Sequence, residues 1–243
     1  MSQMKLVPLA ILCGVLFGPL GALCIVWAVI NIGHGELLTA LTAIGFAMFS
    51  FGFIAPFVKT VPGKVAPRGE FDDAGTTVRP DRGVDVSLQI ALLGLTIASG
   101  LTAALVPLGL VEIPVPEQLR YALPFVAAVV ALMGAPIVWR TLRRGSLKYL
   151  RLTPSGFMVA QGSRPQSGDW KQVVDITGTP PNQNAPTADA IAMVMSDDSV
   201  ISMPGASFTP EGKQLREWVR FYWLHPDLRE ELTDERALKR LAE

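Results

Sequence analysis

The side chains able to do chemistry are few and lie far apart along the chain. Asp175, Asp189, Asp197 and Asp198 could act as acids on a lipid at a membrane face, but isolated aspartates near strand ends are ordinarily turn formers. The two cysteines, Cys13 and Cys24, share one face of a helix about 16 Å apart along its axis, too far to bridge each other. They read as small apolar packing residues, with an intermolecular or lipidated thiol as the alternative. His34 and His225 lie outside the apolar runs, so no intramembrane nucleophile has a histidine base beside it. No Cys or His pair stands at ligand spacing, and neither a metal nor any other cofactor is expected. The residues that do cluster are basic: Arg140, Arg143, Arg144, Lys148 and Arg151. Such a group suits the anchoring of a chain at an anionic membrane surface.

The elements around that cluster explain its place. Half of the 243 residues are apolar and only 17% are charged, against roughly a quarter in ordinary soluble domains. Four runs, Leu6–Ile32, Leu37–Val58, Val86–Val111 and Tyr121–Trp139, are uncharged or nearly so, and each approaches or exceeds the ~20 residues that cross a bilayer. The first run is too long for a signal peptide's apolar core and lacks a small-x-small cleavage site. Leu12 and Leu23 before the cysteines argue against lipoprotein processing. It reads as a retained helix that Pro8 and Pro19 start or kink.

Basic residues set the expected orientation. Lys5, then Lys59, Lys64, Arg68, Arg79 and Arg82, then the five-residue cluster lie on one side, and only Arg120 lies on the other. The excess marks the cytoplasmic side, so a multi-pass protein of the plasma (inner) membrane with both termini cytoplasmic is expected. The outer loops, Gly33–Glu36 and Glu112–Arg120 with its two prolines, are too short for an external receptor. The inner loop Lys59–Asp85 is rich in Pro and Gly and mixed in charge, which predicts an irregular linker; packing on the soluble domain or on a partner is the alternative.

Within the spans, Gly14, Gly18 and Ala22 form a smooth ridge that lets another helix come close, in this chain or in a partner. Thr96, Ser99 and Ala103 predict a second close helix contact. Phe46, Phe49, Phe51, Phe53 and Phe57 give span two a packed or lipid-facing aromatic surface. No span carries an ionisable residue in its interior, which speaks against an ion pathway or proton relay.

After Ser146 the pattern turns to alternation. Strands are expected at residues 147–152 and 157–160 around a Thr153–Gly156 turn, at Trp170–Thr177, and at Asp189–Met195 and Ser199–Met203 as a second hairpin. Gln161–Asp169 and Gly178–Thr187 read as loops. Thr209-Pro210 opens a helix with a capping hydroxyl. Its apolar stripe Leu215, Trp218, Val219 and Tyr222 should plug the sheet. A second helix is expected over Asp227–Ala242, with Leu228, Leu232, Leu238 and Leu241 toward the domain or a neighbour.

Leu152-Thr153-Pro154-Ser155-Gly156-Phe157, Trp170-Lys171-Gln172-Val173-Val174-Asp175-Ile176 and the helix Thr209–Leu224 resemble a bacterial pleckstrin-homology-like (PH-like) domain. Five strands are read where that family usually has seven. The whole chain, through His225-Pro226-Asp227-Leu228-Arg229-Glu230-Glu231-Leu232, is similar to small actinobacterial membrane proteins of this type. One such type is an accessory subunit of the mycobacterial Mce lipid-import transporter. The resemblance implies a binding module, and because Thr153–Gly156 holds no Lys or Arg it implies protein contact before headgroup recognition.

The expected fold is therefore an α-helical membrane protein of four spans, residues 1–145, followed by a small cytoplasmic α+β domain, residues 146–243, its PH-like antiparallel sheet closed by C-terminal helices. The expected function is a non-catalytic accessory or scaffold subunit. Its partners would be a larger membrane complex, such as a lipid transporter of the ABC type, and membrane lipids, with no nucleic acid. A small transporter and a lipid-modifying enzyme are the alternatives. With so short a connection between span four and the first strand, the domain should act as a fixed bracket that a flexible linker after Gly145 would loosen.

Overall fold

The computed structural model describes residues 3–111, 121–146, 148–161, 164–178 and 190–242. Two loops expected from the sequence, Glu112–Arg120 and most of Gly178–Thr187, together with Asp189, fall outside them. The chain divides into two compact units. One comprises residues 10–56 and 86–145, and the other residues 1–9, 57–85 and 146–243.

Four helices, α1 (Gln3–Gly33), α2 (Leu37–Thr60), α3 (Arg82–Leu105) and α4 (Ala122–Arg144), are each long and apolar enough to cross a membrane. Their ends have local causes. α3 starts four residues before the expected Val86 because Asp81 caps it: its Oδ1 accepts the amides of Gly83 at 2.7 Å and Val84 at 3.3 Å, satisfying donors that a helix start leaves open. It stops at Leu105 rather than Val111, since Pro107 disfavours helical geometry at the residue before it and the chain turns at Gly109, φ +70°. α4 runs past Trp139 until Gly145, at φ +72°, closes it by donating its amide to the Thr141 carbonyl at 2.8 Å. This is the left-handed cap that glycine adopts without strain.

The second unit corrects the reading of the inner loop. Residues 68–79 are a hairpin rather than an irregular linker: β1 (Arg68–Asp72) and β2 (Gly75–Arg79) pair about the two-residue turn Asp73-Ala74. The Asp72 carboxylate accepts the amides of Ala74 and Gly75. Gly75, at φ +150°, lies so close to the Leu152 carbonyl that a Cβ would overlap it. β2 then pairs with β3 (Lys148–Leu152), β3 with β4 (Gly156–Gln161) and β4 with β5 (Arg164–Asp169), giving a five-stranded antiparallel sheet in chain order. The compact unit that holds the sheet thus takes in residues 57–85 besides those after 145.

β5 occupies much of the stretch read as the loop Gln161–Asp169. Its Gly, Ser and Pro content hides the strand, which exists because it pairs residue for residue with β4. The strand expected over Trp170–Thr177 opens instead with a 3-10 turn, Trp170–Gln172, and only Val173–Thr177 forms β6. β6, β7 (Ala190–Met195) and β8 (Val200–Pro204) make a second, three-stranded antiparallel sheet, with the expected β7–β8 hairpin.

Helix α5 (Lys213–Leu224) follows a 3-10 turn, Pro210–Gly212. The Thr209 hydroxyl accepts the amide of Leu215 at 3.4 Å, one turn further in than an N-cap normally reaches. The stripe Leu215, Trp218, Val219 and Tyr222 is buried throughout and shares one core with Val78, Leu150, Leu152, Phe157, Ile191 and Met193. At ~1.5–3 kcal/mol per buried large apolar side chain, the four together contribute on the order of 10 kcal/mol as an upper estimate. The expected second helix is broken into a 3-10 segment, Pro226–Thr233, and α6 (Glu235–Ala242). Asp234 takes an extended conformation between them.

Candidate functional site

Three of the four aspartates, Asp175, Asp197 and Asp198, lie among the described residues. Asp175 accepts the amide of its own neighbour Ile176 at 2.8 Å. Asp197 accepts the amide and hydroxyl of Ser199 in the β7–β8 turn, and these bonds hold its carboxyl below the usual range. Asp198 turns the chain at φ +61°. His225 is exposed, stacked on Phe221 with ring centres 4.4 Å apart. Among the described residues no group of three His, Cys, Asp or Glu stands close enough to hold a metal ion.

What the helices assemble is a set of close contacts between small residues. On α2, Gly45 lies against Gly94 and Ala98 of α3, and Gly52 lies against Ser87 and Ala91. A Cβ at Gly45, Gly52 or Gly94 would collide with backbone atoms, so these glycines set how near α2 and α3 can come. On α4, Gly134 sits against Thr96, whose hydroxyl donates to the Leu92 carbonyl at 2.7 Å. Ser99 is buried and Ala103 is half-buried. The Thr102 hydroxyl is buried without a hydrogen-bond partner among the described residues.

α1 meets α2 through a different face from its ridge. Cys13, Gly21, Cys24, Ala28 and Asn31 are buried, and Phe17 packs on Phe49 and Phe53 with ring centres 5.6 and 5.2 Å apart. Gly21 touches Phe51 and Ser50. Gly14 and Gly18, by contrast, have nothing within reach of a Cβ, and Ala22 is exposed. Ile11, Leu12, Val15, Leu16 and Leu23 around that ridge are exposed as well. Among the described residues, then, nothing packs closely on the Gly14–Gly18 ridge of the first helix. Of the glycines that do pack, Gly45 and Gly52 carried a readable signal in their seven-residue spacing, but spacing does not name a partner helix.

The basic residues separate into paired and unpaired groups. In the sheet unit, Arg151 meets Asp72 at 2.6 Å, Arg79 meets Glu70 at 2.9 Å, Lys59 meets Asp81 at 2.7 Å and Arg68 meets the buried Asp85 at 2.8 Å. Burial acts to raise the Asp81 carboxyl, but Lys59 and the amides of Val84, Ala66 and Gly83 outweigh it and hold it below its ordinary value. Lys148 is half-buried at the start of β3, where burial pushes its amine down and Asp85 opposes the shift. On α4, Arg140 is exposed and Arg143 lies over the Trp139 ring, 4.4 Å from its centre. The side chain of Arg144 falls outside the described residues.

No protein family, no characterised protein and no solved structure matches the chain. Its class rests on its own architecture: four helices of membrane-spanning length combined with a small domain of two antiparallel sheets and short helices.

Proposed function

We propose that this chain is a non-catalytic subunit of the plasma (inner) membrane, with four spans and cytoplasmic termini, that docks on a larger membrane complex through the open face of α1. The carrying observation is the ridge of Gly14, Gly18 and Ala22: no described residue comes within reach of a Cβ at either glycine and Ala22 is exposed, while the neighbouring face of the helix is packed. Small residues in a membrane helix permit close backbone approach, and this ridge offers a partner helix such a surface. The sheet unit supports a binding role: two antiparallel sheets and a buried closing helix are consistent with the PH-like reading, and Asp197 and Asp198 serve the β7–β8 turn. A lipid transporter of the Mce type is the complex that the sequence resemblance implies.

The test is affinity purification of the full chain in mild detergent with native mass spectrometry. The wild type is expected to retain a stoichiometric membrane complex. Gly14→Leu with Gly18→Leu, which fills open space and leaves the fold intact, is expected to release it at least tenfold. A monodisperse particle without partners, or a partner retained by the double variant, would refute this reading.

A further inference from the structure

We propose that the free edge of β1 is a dimerisation surface, on which β1 of a second copy of this chain pairs antiparallel and extends the five-stranded sheet across both molecules. The two sheets end on β1, β5, β6 and β8. An open strand edge is a template for another strand, and proteins blunt the edges they keep free. Three of these four are blunted. β5 carries Pro165. β6 is bulged between Val173 and Asp175, and its Val173 carbonyl accepts the Trp223 indole N–H at 3.2 Å. β8 ends in Pro204, and its Ser202 carbonyl accepts the Gln161 side-chain amide. β1 has no proline, keeps an unbroken register with β2, and is exposed from Gly69 to Asp72.

Its backbone groups point the right way. Antiparallel ladders alternate hydrogen-bonded and non-hydrogen-bonded pairs, and a two-residue hairpin closes on a hydrogen-bonded pair, here Asp72 with Gly75. Asp72, Glu70 and Arg68 therefore turn their backbone groups to β2, while Phe71 and Gly69 turn theirs outward. Among the described residues no backbone bond from outside the hairpin reaches either one. An added strand finds a donor and an acceptor at each.

The side chains select a second copy, because β1 complements itself. An antiparallel pair centred on Glu70 sets Phe71 of each copy opposite Gly69 of the other, and Arg68 opposite Asp72. Phe71 is 49% exposed, whereas Gly69 has no side chain and Leu238 packs on its face of the strand. A ring across from an edge glycine covers the open backbone, and here it meets Leu238 as well. Opposite charges facing each other across a strand pair stabilise it, and like charges oppose it. The two Glu70 carboxylates meet at the centre, but each is held by Arg79 of its own chain at 2.9 Å, so the charges there alternate in sign. This inference does not depend on the proposed docking of α1.

The experiment uses the full chain in mild detergent at micromolar concentration, with Cys13→Ala and Cys24→Ala so that an introduced thiol is the only one. With β1 unchanged, light scattering corrected for detergent is expected to show two copies per particle. Opposed residues of a non-hydrogen-bonded pair have Cα atoms about 4.5 Å apart, within disulfide range, so Glu70→Cys is expected to yield a cross-linked dimer on mild oxidation. Phe71→Cys, which lies offset from its counterpart across the seam, is expected to cross-link at least tenfold more slowly. Phe71→Pro removes an outward amide and leaves the bonds to β2 in place; it is expected to lower the dimer fraction at least tenfold, with slow exchange of the Leu150 amide reporting an intact sheet. The cross-linking comparison decides by itself whatever Phe71→Pro does to the fold. A single copy per particle with β1 unchanged, equal cross-linking at positions 70 and 71, or a Phe71→Pro chain that still dimerises would overturn the proposal.

Discussion

Tyr222 is fully buried, and its hydroxyl donates to Glu231 at 3.2 Å, while Arg240 holds the same carboxylate at 3.0 Å and lies over the Phe221 ring. Burial first, and then the negative charge of Glu231, push the Tyr222 phenol up from 10.0 to about 12. A proton held more tightly in the folded state gives stability that is complete below pH 10 and lost as pH rises toward 12. One of the three tyrosines should therefore ionise only near pH 12, together with unfolding of the sheet unit, when followed by tyrosinate absorbance; Tyr222→Phe should remove that phase. Asp81 works in the opposite direction. Its lowered carboxyl contributes stability above its ordinary value of 3.8, lost as pH falls through the folded value. Asp81→Asn should flatten acid unfolding in that range. Asp81→Ala should cost about 1–2 kcal/mol at neutral pH through the lost helix cap alone, measured by chemical denaturation. The sequence shows Asp81 as one acid in a mixed-charge loop; that it caps α3 and pairs with Lys59 becomes visible only when the loop is folded.

At the scale of elements, the β1–β2 hairpin matters most. Val78 is completely buried in the core with Leu150 and Leu152, the Thr76 hydroxyl donates to the Leu232 carbonyl at 2.5 Å, and Gly69 packs against Leu238. A fragment of residues 146–243 alone would leave β3 with an unpaired edge and Leu150 and Leu152 partly open to water. We expect that fragment to be molten or aggregated, and a fusion that restores residues 66–80 to give dispersed amide resonances and slow hydrogen exchange in β3; equal order in both would refute the hairpin's role. The alternation in Thr76-Thr77-Val78-Arg79 after the Asp-Asp-Ala-Gly turn was a legible strand signal, but the many prolines and glycines around it point to loop. β5 was less legible still, since a strand of Arg, Pro, Gln, Ser, Gly and Asp takes its conformation from its neighbour β4 rather than from its own propensities.

For the whole molecule, the chain passes between the two units at residues 9–10, 56–57 and 85–86 as well as 145–146. A flexible linker after Gly145 frees only one of these connections, so the loss of function expected from a bracket held by span four alone should be mild. Linkers placed after Gly145 and also between Thr60 and Val65 should impair function far more, as read by complementation of a deletion strain with protein levels matched. By itself the sequence determined the four apolar helices, the switch to alternating strands after Ser146, the hairpins about Thr153–Gly156 and Ser196–Ser199, and the buried stripe of α5. These rest on local periodicity and length, which are properties of consecutive residues. Tertiary structure alone decided that residues 68–79 complete the larger sheet, that Gly45 and Gly94 rather than Gly14 and Gly18 set the helix contacts, and that Arg151 and Arg68 answer acids of the loop. Each of these joins residues distant in the chain, and such pairings follow from which surfaces can be buried together, a condition that no single segment contains.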